Sequence, residues 1–326
     1  SNASQMVQDG VMIAGIPRPR RRRATLAGAL LTVALFVSSC VPPSTLPDGT
    51  VPQTGPIGAN GVGFDGTDPW LCDLFGGQLL RIDAGSGRIL ERIGPDRGIA
   101  RPDDIVFAPD GSLIYTSPPT GVVGRITRSG PNAGQVSVLA QMETGVNPIA
   151  LTPDGSAVIV GYGSGEVGRL DRIDLTTGQV TVVAAGLPDL NGFSFGPDGA
   201  IWAPVGGPLT ALTGEGYVIR IDPDTGVTGG LPLTFPAEPG KRGLSFPVSV
   251  KWTPDGRMLA LQGIGTAALY QVDPDTGVST RFSTLGSDFG DNQVTLPDGR
   301  TVVTSFVGGM NVVAPNGTSA PFPLGA

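Results

Sequence analysis

Apolar strands separated by a Pro-Asp-Gly turn recur along most of this chain. The turn glycines stand 44, 44, 57 and 43 residues apart, and the segment DGTD at 65–68 is a degenerate first copy. These glycines are Gly111, Gly155, Gly199, Gly256 and Gly299. Most copies contain a second turn, a Ser-Gly or Thr-Gly pair that follows a strand ending in Asp. Because four short strands per period of about 40–50 residues are typical of a propeller blade, six copies predict an all-β, six-bladed β-propeller.

The residues before the repeats predict export. Ser1–Ala3 resembles a cloning remnant, an Arg-rich stretch follows at 18–23, and 24–36 is an apolar run too short to span a bilayer. The run ends in Val-Ser-Ser-Cys40, which resembles a bacterial lipobox with a lipidated cysteine. We therefore predict a signal sequence up to residue 39, a lipidated flexible tether over 40–59 and the propeller over 60–326. An ordinary secretory signal is the alternative, and the export route, general or twin-arginine, stays open.

The charge of the predicted mature domain narrows the choice of partners. The chain has 21 basic and 28 acidic residues, and the leader holds five arginines and one aspartate, so the mature net charge is about −11. Such an acidic domain does not suit nucleic acid or an anionic membrane surface. We expect a monomer that binds a small molecule or a protein and that contacts the membrane only through its lipid anchor.

The two faces of a propeller differ in their loops. The turns between the first and second strands, and between the third and fourth, lie on one face, which here carries only the short Pro-Asp-Gly and Thr-Gly turns. Their aspartates fit a structural role, since Asp caps its own turn. The opposite, loop-rich face carries a long loop at 204–216 and an insertion near 236–246 that explains the 57-residue spacing. Binding sites favour such loops on a rigid scaffold, so we expect the ligand on this face.

A ring of polar residues is predicted at the axis of the loop-rich face. One position of each blade lies eight residues before the last residue of the turn between its first and second strands. This position is Asp or Asn in every blade except the fifth, where it is Val248. The five polar members are Asn60, Asp103, Asn147, Asn191 and Asp291. Their oxygens suit a hard cation, with calcium favoured over magnesium. Alternatively, the residues cap strand starts and line a water-filled channel mouth.

A resemblance appears at these residues. The segments RPDDIVFAPDGSLIYTS, LNGFSFGPDGAIWAP and FPVSVKWTPDG resemble the regucalcin/gluconolactonase family of six-bladed propellers, from Asn60 to the C-terminus. The resemblance implies an axial calcium bound by Glu, Asn and Asp side chains, the last of which is also a candidate base. In this chain Asn60 stands at the Glu position, Asp103 at one Asn position and Asn147 at another.

The departures from the family bear on catalysis. Asn191 stands where the family has the Asp, and an amide cannot accept a proton as a carboxylate does. Asp104, Asp291 or a metal-bound water are the remaining candidates for a base. We therefore predict a ligand-binding propeller with a possible axial calcium. The alternative is a calcium-dependent hydrolase of lactones or small esters, and a lyase or isomerase is a third possibility.

Histidine is absent from the sequence, and this absence excludes several mechanisms. With no histidine in 326 residues, a Ser-His-Asp hydrolase, a histidine-dependent propeller lyase and a His-ligated zinc site are impossible.

Lys241 and Lys251 are the two lysines. Lys251 lies in a predicted inner strand, where it either pairs with a carboxylate such as Asp291 or extends its head into channel water. Cys72 has no partner if Cys40 is lipidated, and we predict a buried structural thiol.

Overall fold

Each Pro-Asp-Gly turn ends in a glycine with positive φ, as at Gly111 (φ 81°). This conformation reverses the chain in a tight turn, so each of these turns separates the first strand of a blade from the second. The computed structural model describes residues 56–162, 168–307 and 309–324. Over these residues the chain forms six four-stranded antiparallel sheets, each made of four consecutive strands. The first strand of every sheet contacts the first strands of its two neighbours, so the sheets close into a ring. The six-bladed β-propeller that the repeat predicts is confirmed.

Blades 1 to 3 occupy the N-terminal half of the ring. Blade 1 contains β1 Ala59–Phe64, β2 Pro69–Asp73, β3 Gln78–Ile82 and β4 Ile89–Ile93. A short 3-10 helix, Pro95–Arg97, leads into the next blade. Blade 2 contains β5 Ile105–Phe107, β6 Leu113–Ser117, β7 Val122–Ile126 and β8 Val136–Gln141. Blade 3 contains β9 Val146–Leu151, β10 Ala157–Tyr162, β11 Gly168–Asp174 and β12 Val180–Leu187.

Blades 4 to 6 complete the ring. Blade 4 contains β13 Ser194–Phe195, β14 Ile201–Val205, β15 Tyr217–Ile221 and β16 Thr228–Leu231, with helix α1 Pro208–Thr213 between β14 and β15. Blade 5 contains β17 Pro247–Trp252, β18 Met258–Gln262, β19 Ala268–Val272 and β20 Ser279–Thr284. Blade 6 contains β21 Gln293–Thr295, β22 Thr301–Thr304, β23 Met310–Val313 and β24 Ser319–Pro321.

The hydrophobic core lies between the blades. The second strand of every blade is buried along its whole length, because both of its faces pack against neighbouring blades. The described residues form six apolar clusters, and each cluster joins two adjacent blades. Trp70 and Tyr270 are the largest fully buried side chains. Burial of this apolar area is the main force that holds the disc together.

The ring closes by side-chain packing between blades 6 and 1. Among the described residues each blade is completed by its own four strands, and none of these strands is exchanged at the closure. Phe322 and Met310 pack against Leu80 and Ile82 of blade 1. Arg300 Nη1 also donates a hydrogen bond of 3.1 Å to the carbonyl of Ala84. The first and last blades are therefore fastened by an interface of the same kind as the other five.

The loop-rich face carries the long connections of blade 4. The loop between β14 and β15 contains α1, and the crossing from β16 to β17 runs over residues 232–246. Gly216 and Leu244 join these two connections through a pair of backbone hydrogen bonds of 2.9 Å. None of the helices among the described residues is long and apolar enough to cross a membrane. The predicted signal sequence, and Cys40 with it, lies outside the described residues.

Candidate metal and ligand site at the axis of the loop-rich face

The ring positions lie where the innermost strands begin. Asn60, Asn147 and Val248 are the second residues of β1, β9 and β17, whereas Asp103, Asn191 and Asp291 lie two or three residues before β5, β13 and β21. We call five residues at this level the axial cluster. They are Asn60, Asp103, Asp104, Asp291 and Asn292.

Asn60 and Asp103 are in direct contact across the boundary between blades 1 and 2. Asn60 Nδ2 donates a hydrogen bond to Asp103 Oδ1, and the next backbone N–H, that of Gly61, donates to the carbonyl of Asp103 at 2.6 Å. Both side chains are buried. The other amide atom, Asn60 Oδ1, is buried without a hydrogen-bond partner among the described residues. An acceptor oxygen thus lies free beside a carboxylate.

Asp104 links three blades through its two carboxylate oxygens. Oδ1 accepts hydrogen bonds from Asn292 Nδ2 at 2.9 Å and from the N–H of Ile105 at 3.0 Å. Oδ2 accepts from the N–H of Ile149 in blade 3 at 3.2 Å. Asn292 Oδ1 in turn accepts from Ser249 Oγ of blade 5 at 3.2 Å. Asp104 is a residue that organises the axis, because its hydrogen bonds extend from blade 6 to blade 3.

Two threonines repeat one bonding pattern in blades 2 and 6. Thr116 Oγ1 accepts the N–H of Asp104 and donates to the carbonyl of Asn147 in the next blade at 2.6 Å. Thr304 Oγ1 accepts the N–H of Asn292 at 3.1 Å and donates to the carbonyl of Asn60. Each hydroxyl therefore joins the start of one inner strand to the start of the following one.

The three carboxyl groups of the axial cluster have raised pKa values. Burial, followed by repulsion from Asp104, raises the pKa of Asp103 to about 7, although the Asn60 hydrogen bond opposes the shift. Burial and repulsion from Asp103 and Asp104 raise the pKa of Asp291 well above its ordinary value. Burial also raises the pKa of Asp104. The field of Lys251 and the hydrogen bonds that Asp104 accepts oppose this rise. The cluster thus concentrates negative charge that a cation would relieve.

The other predicted ring members are placed differently. Asn191 Oδ1 accepts a hydrogen bond of 2.8 Å from the N–H of Gly192, so this oxygen is engaged locally. The backbone carbonyl of Asn147 accepts the hydrogen bond from Thr116. Val248 packs into the apolar cluster between blades 5 and 6. Among the described residues, the contacts of the axis therefore centre on blades 1, 2 and 6.

The described residues contain no group of three or more His, Cys, Asp or Glu side chains that could hold a metal ion. A metal at the axis would need a mixed set of carboxylate and amide oxygens. Asn60 and Asp103 are in contact, and Asp291, whose carboxyl lies in the field of Asp103, is the further candidate ligand. The unpartnered Asn60 oxygen is the observation that fits a hard cation. Calcium is the cation that tolerates neutral amide ligands and irregular geometry best.

Two strained residues lead into inner strands on the same face. Arg101 (φ 47°) and Phe246 (φ 49°) are the two non-glycine residues with positive φ among the described residues. Each is followed by a proline and then by a ring position, Asp103 or Val248. Non-glycine residues in this region are held there only by the surrounding structure, and they concentrate at functional sites.

Asp189 is a functional candidate that the repeat did not reveal. It lies on the crossing into blade 4, two residues before Asn191, and its Oδ1 is buried without a partner among the described residues. Burial raises its pKa to about 6. A carboxyl group of this kind can exchange a proton near neutral pH. Asp189 is outside the sixfold register, so the spacing of the turns carried no signal for it.

A sequence signal for Asn292 and the two threonines did exist. The blades that carry the doublets Asp103-Asp104 and Asp291-Asn292 also have a Thr-Ser pair at the end of the second strand, at 116–117 within β6 and at 304–305 where β22 ends. The doublet and the threonine are the two halves of the same hydrogen-bonded unit. Cys72 lies fully buried in β2 as an unpaired thiol. Burial, together with the nearby aspartates, raises the pKa of that thiol well above its ordinary value.

Comparisons with known proteins identify the fold. No protein family matches the chain, and no curated protein matches its sequence. Solved structures do match. Virginiamycin B lyase from Staphylococcus aureus, a catalytically inactive histidine-to-alanine variant with quinupristin, is 15% identical with a TM-score of 0.57, and the match covers 83% of this chain and 86% of that one.

Two further matches bear on the resemblance found in the sequence. The calcium-binding protein regucalcin from Agrobacterium tumefaciens is 17% identical with a TM-score of 0.56, over 77% of this chain and 82% of that one. A putative gluconolactonase is also 17% identical, with a TM-score of 0.57, over 77% and 86%. At these identities the comparisons establish the propeller fold that the chain shares with these proteins.

Proposed function

We propose that this protein binds a calcium ion at the axial cluster and uses the loop-rich face around it to bind a small, oxygen-bearing ligand. The observation that carries the proposal is the buried, unpartnered Asn60 Oδ1 beside Asp103, in a group of three carboxyls with raised pKa values. Asn60, Asp103 and Asp291 would hold the ion. A bound calcium would supply a positive charge that attracts carboxylate, hydroxyl or carbonyl oxygens of a ligand.

The electrostatics of the cluster support cation binding. Without a cation, burial raises the pKa values of Asp103, Asp104 and Asp291, and repulsion from neighbouring carboxyls adds to the rise at Asp103 and Asp291. A divalent cation would let these groups ionise and would satisfy the free Asn60 oxygen. The field of Lys251 at Asp104 and Asp291 opposes the rise of their pKa values.

Calcium titration by calorimetry tests the proposal directly. Calcium should bind to the wild-type protein, and Asp103→Asn should weaken the affinity by at least about tenfold, since one carboxylate ligand is lost. The matched control is Asp275→Asn, which removes the same charge from an exposed turn and should leave the affinity unchanged. Absence of binding at millimolar calcium would refute the proposal, and equal affinities of the two variants would place the ion elsewhere.

Calcium should also raise the melting temperature of the wild-type protein, because a ligand that binds only the native state stabilises it by mass action. In Asp103→Asn this rise should shrink. In the presence of a chelator the same substitution should be neutral or mildly stabilising, since it removes one of three repelling carboxyls. A loss of stability that is identical with calcium and with chelator would indicate a structural role alone.

Hydrolysis of a lactone or small ester is a second candidate function, and Asp189 is the observation that favours it. Its half-buried carboxyl, with a pKa of about 6, could serve as the general base that Asn191 cannot provide. The activity of a calcium-loaded protein should rise through pH 6 as this group ionises. Asp189→Asn should abolish hydrolysis and leave calcium binding intact, so the two proposals fail independently.

We also propose that the protein is an exported lipoprotein anchored through Cys40. The lipobox-like residues and the acidic charge of the remaining chain support this location. A tether over 40–59 would hold the disc away from the membrane surface, and the loop-rich face would then be open to ligands outside the cytoplasm.

A further inference from the structure

A cavity of about 270 Å³ lies toward the turn-bearing face, where its lining residue Gln293 directly follows Asn292 of the axial cluster. We call it the turn-side cavity. Residues of the inner strands of blades 4, 5 and 6 line it, together with the first turn of blade 5. The polar groups that matter here are Lys251, Trp252 and Gln293, and Phe195 and Val294 supply apolar walls. This cavity therefore combines polar and apolar surface.

Two polar side chains that line the cavity have atoms without partners. Gln293 is 1% exposed, and its Nε2 is held by the carbonyl of Leu259 at 2.9 Å, which fixes the amide plane. Its Oε1 is buried and has no hydrogen-bond partner among the described residues. The indole Nε1 of Trp252 is likewise buried and unpartnered. Each such atom costs about 1–3 kcal/mol unless a ligand or solvent satisfies it.

Lys251 adds a positive charge to the same cavity. Its Nζ donates one hydrogen bond, of 3.1 Å, to the carbonyl of Phe193, and it forms no ion pair among the described residues. An ammonium group has three donors, so two remain available. The aspartate nearest along the chain, Asp255, is engaged by Arg257 Nε at 2.9 Å and by the hydroxyl of Thr253. The charge of Asp255 is thus balanced locally. Lys251 also lies in the field of Asp104 and Asp291, whose raised pKa values reduce the negative charge that they present to an anion in the cavity.

We propose that the turn-side cavity binds a small hydroxy acid. The carboxylate would accept hydrogen bonds from Lys251 Nζ and Trp252 Nε1, and a hydroxyl of the ligand would donate to Gln293 Oε1. The carbon chain would lie against Phe195 and Val294. A ligand that is only anionic would leave the Gln293 oxygen unsatisfied, and a polyol would leave the ammonium unpaired, so the site selects a molecule that carries both groups. The proposal does not require calcium at the axial cluster, although the two sites share the field of Lys251.

Three probes with the same three-carbon skeleton separate these requirements. Glycerate carries both groups, propionate lacks the hydroxyls and glycerol lacks the carboxylate. Titration calorimetry and ligand-detected NMR in the presence of a chelator should show glycerate binding with millimolar affinity. Propionate should bind about tenfold more weakly, as expected for the loss of one hydrogen bond to a buried acceptor, and glycerol should bind more weakly still.

Substitutions locate the binding. Lys251→Met keeps the length and apolar stem of the side chain but removes its charge, and it should reduce glycerate affinity by about tenfold or more. The matched control is Lys241→Met, which removes the other lysine charge from the loop-rich side and should leave glycerate binding unchanged. Trp252→Phe removes the indole donor together with one ring of the side chain and keeps an aromatic group against Trp202. It gives an independent reading if Lys251→Met folds poorly, which circular dichroism would reveal.

The outcomes are decisive in either direction. Selective glycerate binding that Lys251→Met and Trp252→Phe both weaken supports the site. Equal binding of glycerate to wild type and Lys251→Met would overturn it, as would the absence of binding at millimolar concentrations, because solvent alone would then satisfy the Gln293 and Trp252 atoms. Calcium titration of Trp252→Phe reports separately on the axial cluster, whereas Lys251→Met, which also removes the positive charge in the field of Asp104 and Asp291, should raise the calcium affinity.

Discussion

Asn292 donates a hydrogen bond of 2.9 Å from Nδ2 to Oδ1 of Asp104, although the two residues are 188 positions apart and belong to blades 6 and 2. Blade 1 lies between them and contributes Gly61 at this level. A Cβ at Gly61 would lie 2.8 Å from the same Asp104 oxygen and 2.3 Å from the Asp103 carbonyl. The missing side chain therefore lets two blades that are not neighbours bond to each other directly.

Replacing the donor of this bond tests its contribution. Asn292→Asp keeps the size of the side chain but sets a carboxylate oxygen against Asp104 Oδ1. We expect a loss of about 2 kcal/mol or more at pH 8, because a buried hydrogen bond is replaced by repulsion. The loss should shrink at pH 5, where a proton held between the two carboxyls restores a bond. Urea unfolding at both pH values measures it.

The matched control for that experiment is Asn316→Asp. Asn316 lies in an exposed turn and accepts a hydrogen bond from the N–H of Thr318 at 3.0 Å, which a carboxylate can also accept. Its free energy of unfolding should stay close to that of wild type at both pH values. A similar response of the two variants would mean that the Asp104 contact is not what the substitution at 292 disturbs.

Gly61→Ala should be destabilising by about 3 kcal/mol, the size expected for overpacking in a rigid interior. The reason is the close approach of Asp103 and Asp104 to the position of the added methyl group. Gly230→Ala in β16 is the control, since nothing lies within 4 Å of its Cβ position. Thermal unfolding of both variants should show a lower midpoint for the first and an unchanged or slightly higher one for the second.

Thr304→Val should loosen the closure between blades 6 and 1. The substitution keeps the shape but leaves the Asn60 carbonyl and the Asn292 N–H without their shared partner, at a cost of roughly 2–3 kcal/mol. Thr304→Ser retains the hydroxyl and should recover most of the stability. Hydrogen exchange should show faster exchange in β1 and β21 of the valine variant, and uniform exchange rates across all blades would contradict a local role.

The metal-free protein should lose stability as the pH rises. Asp103 has a pKa of about 7 in the folded chain and 3.8 in a free side chain, so the folded state binds more protons than the unfolded state between about pH 4 and 7. The stabilisation associated with this group is present below pH 4 and is lost as the pH passes 7. Asp104 and Asp291, with pKa values shifted in the same direction, should reinforce the trend.

Calcium should reverse that dependence, because ion binding requires ionised carboxylates. Melting temperatures measured from pH 4 to 8 with calcium and with a chelator should therefore diverge as the pH rises. Asp103→Asn with chelator should show a flatter profile than wild type. Parallel curves with and without calcium would contradict ion binding at these carboxyls.

Lipidation of Cys40 predicts the behaviour of the full-length chain in a bacterial host. The wild-type protein should be found in the membrane fraction, and Cys40→Ser should move to the soluble fraction, since the anchor is lost. Cys72→Ser, at the buried cysteine of β2, is the control for loss of a thiol and should not change the fractionation. Unchanged partitioning of Cys40→Ser would refute the lipoprotein proposal.

The blades could be predicted from sequence because their signals are local. Each Pro-Asp-Gly turn requires positive φ at its glycine, and strands of alternating or continuous apolar residues flank it, so neither depends on distant parts of the chain. The same register placed Asn60 and Asp103 at the axis, where they meet. The local turn and strand signals were therefore sufficient to predict the fold wherever the repeat is regular.

The side-chain partners at the axis could not be predicted in this way. Asn191 occupies a ring position, but its Oδ1 accepts the N–H of the following residue, a choice set by local backbone geometry. The bond between Asp104 and Asn292 depends on the lack of a side chain at Gly61, in a blade between them. Such contacts follow from how three blades pack together, and no spacing within a single blade encodes them.

The closure of the ring without an exchanged strand has a consequence for how the chain could be rearranged. Blade 6 ends and blade 1 begins on the two sides of one interface, and the carbonyl of Pro323 already lies against Gly87. A circular permutant that starts at β5, joins β24 to β1 through a short linker and ends at β4 would keep all six sheets whole. The disc therefore does not require its open junction to lie between blades 6 and 1, and the same architecture could be cut at any junction between blades.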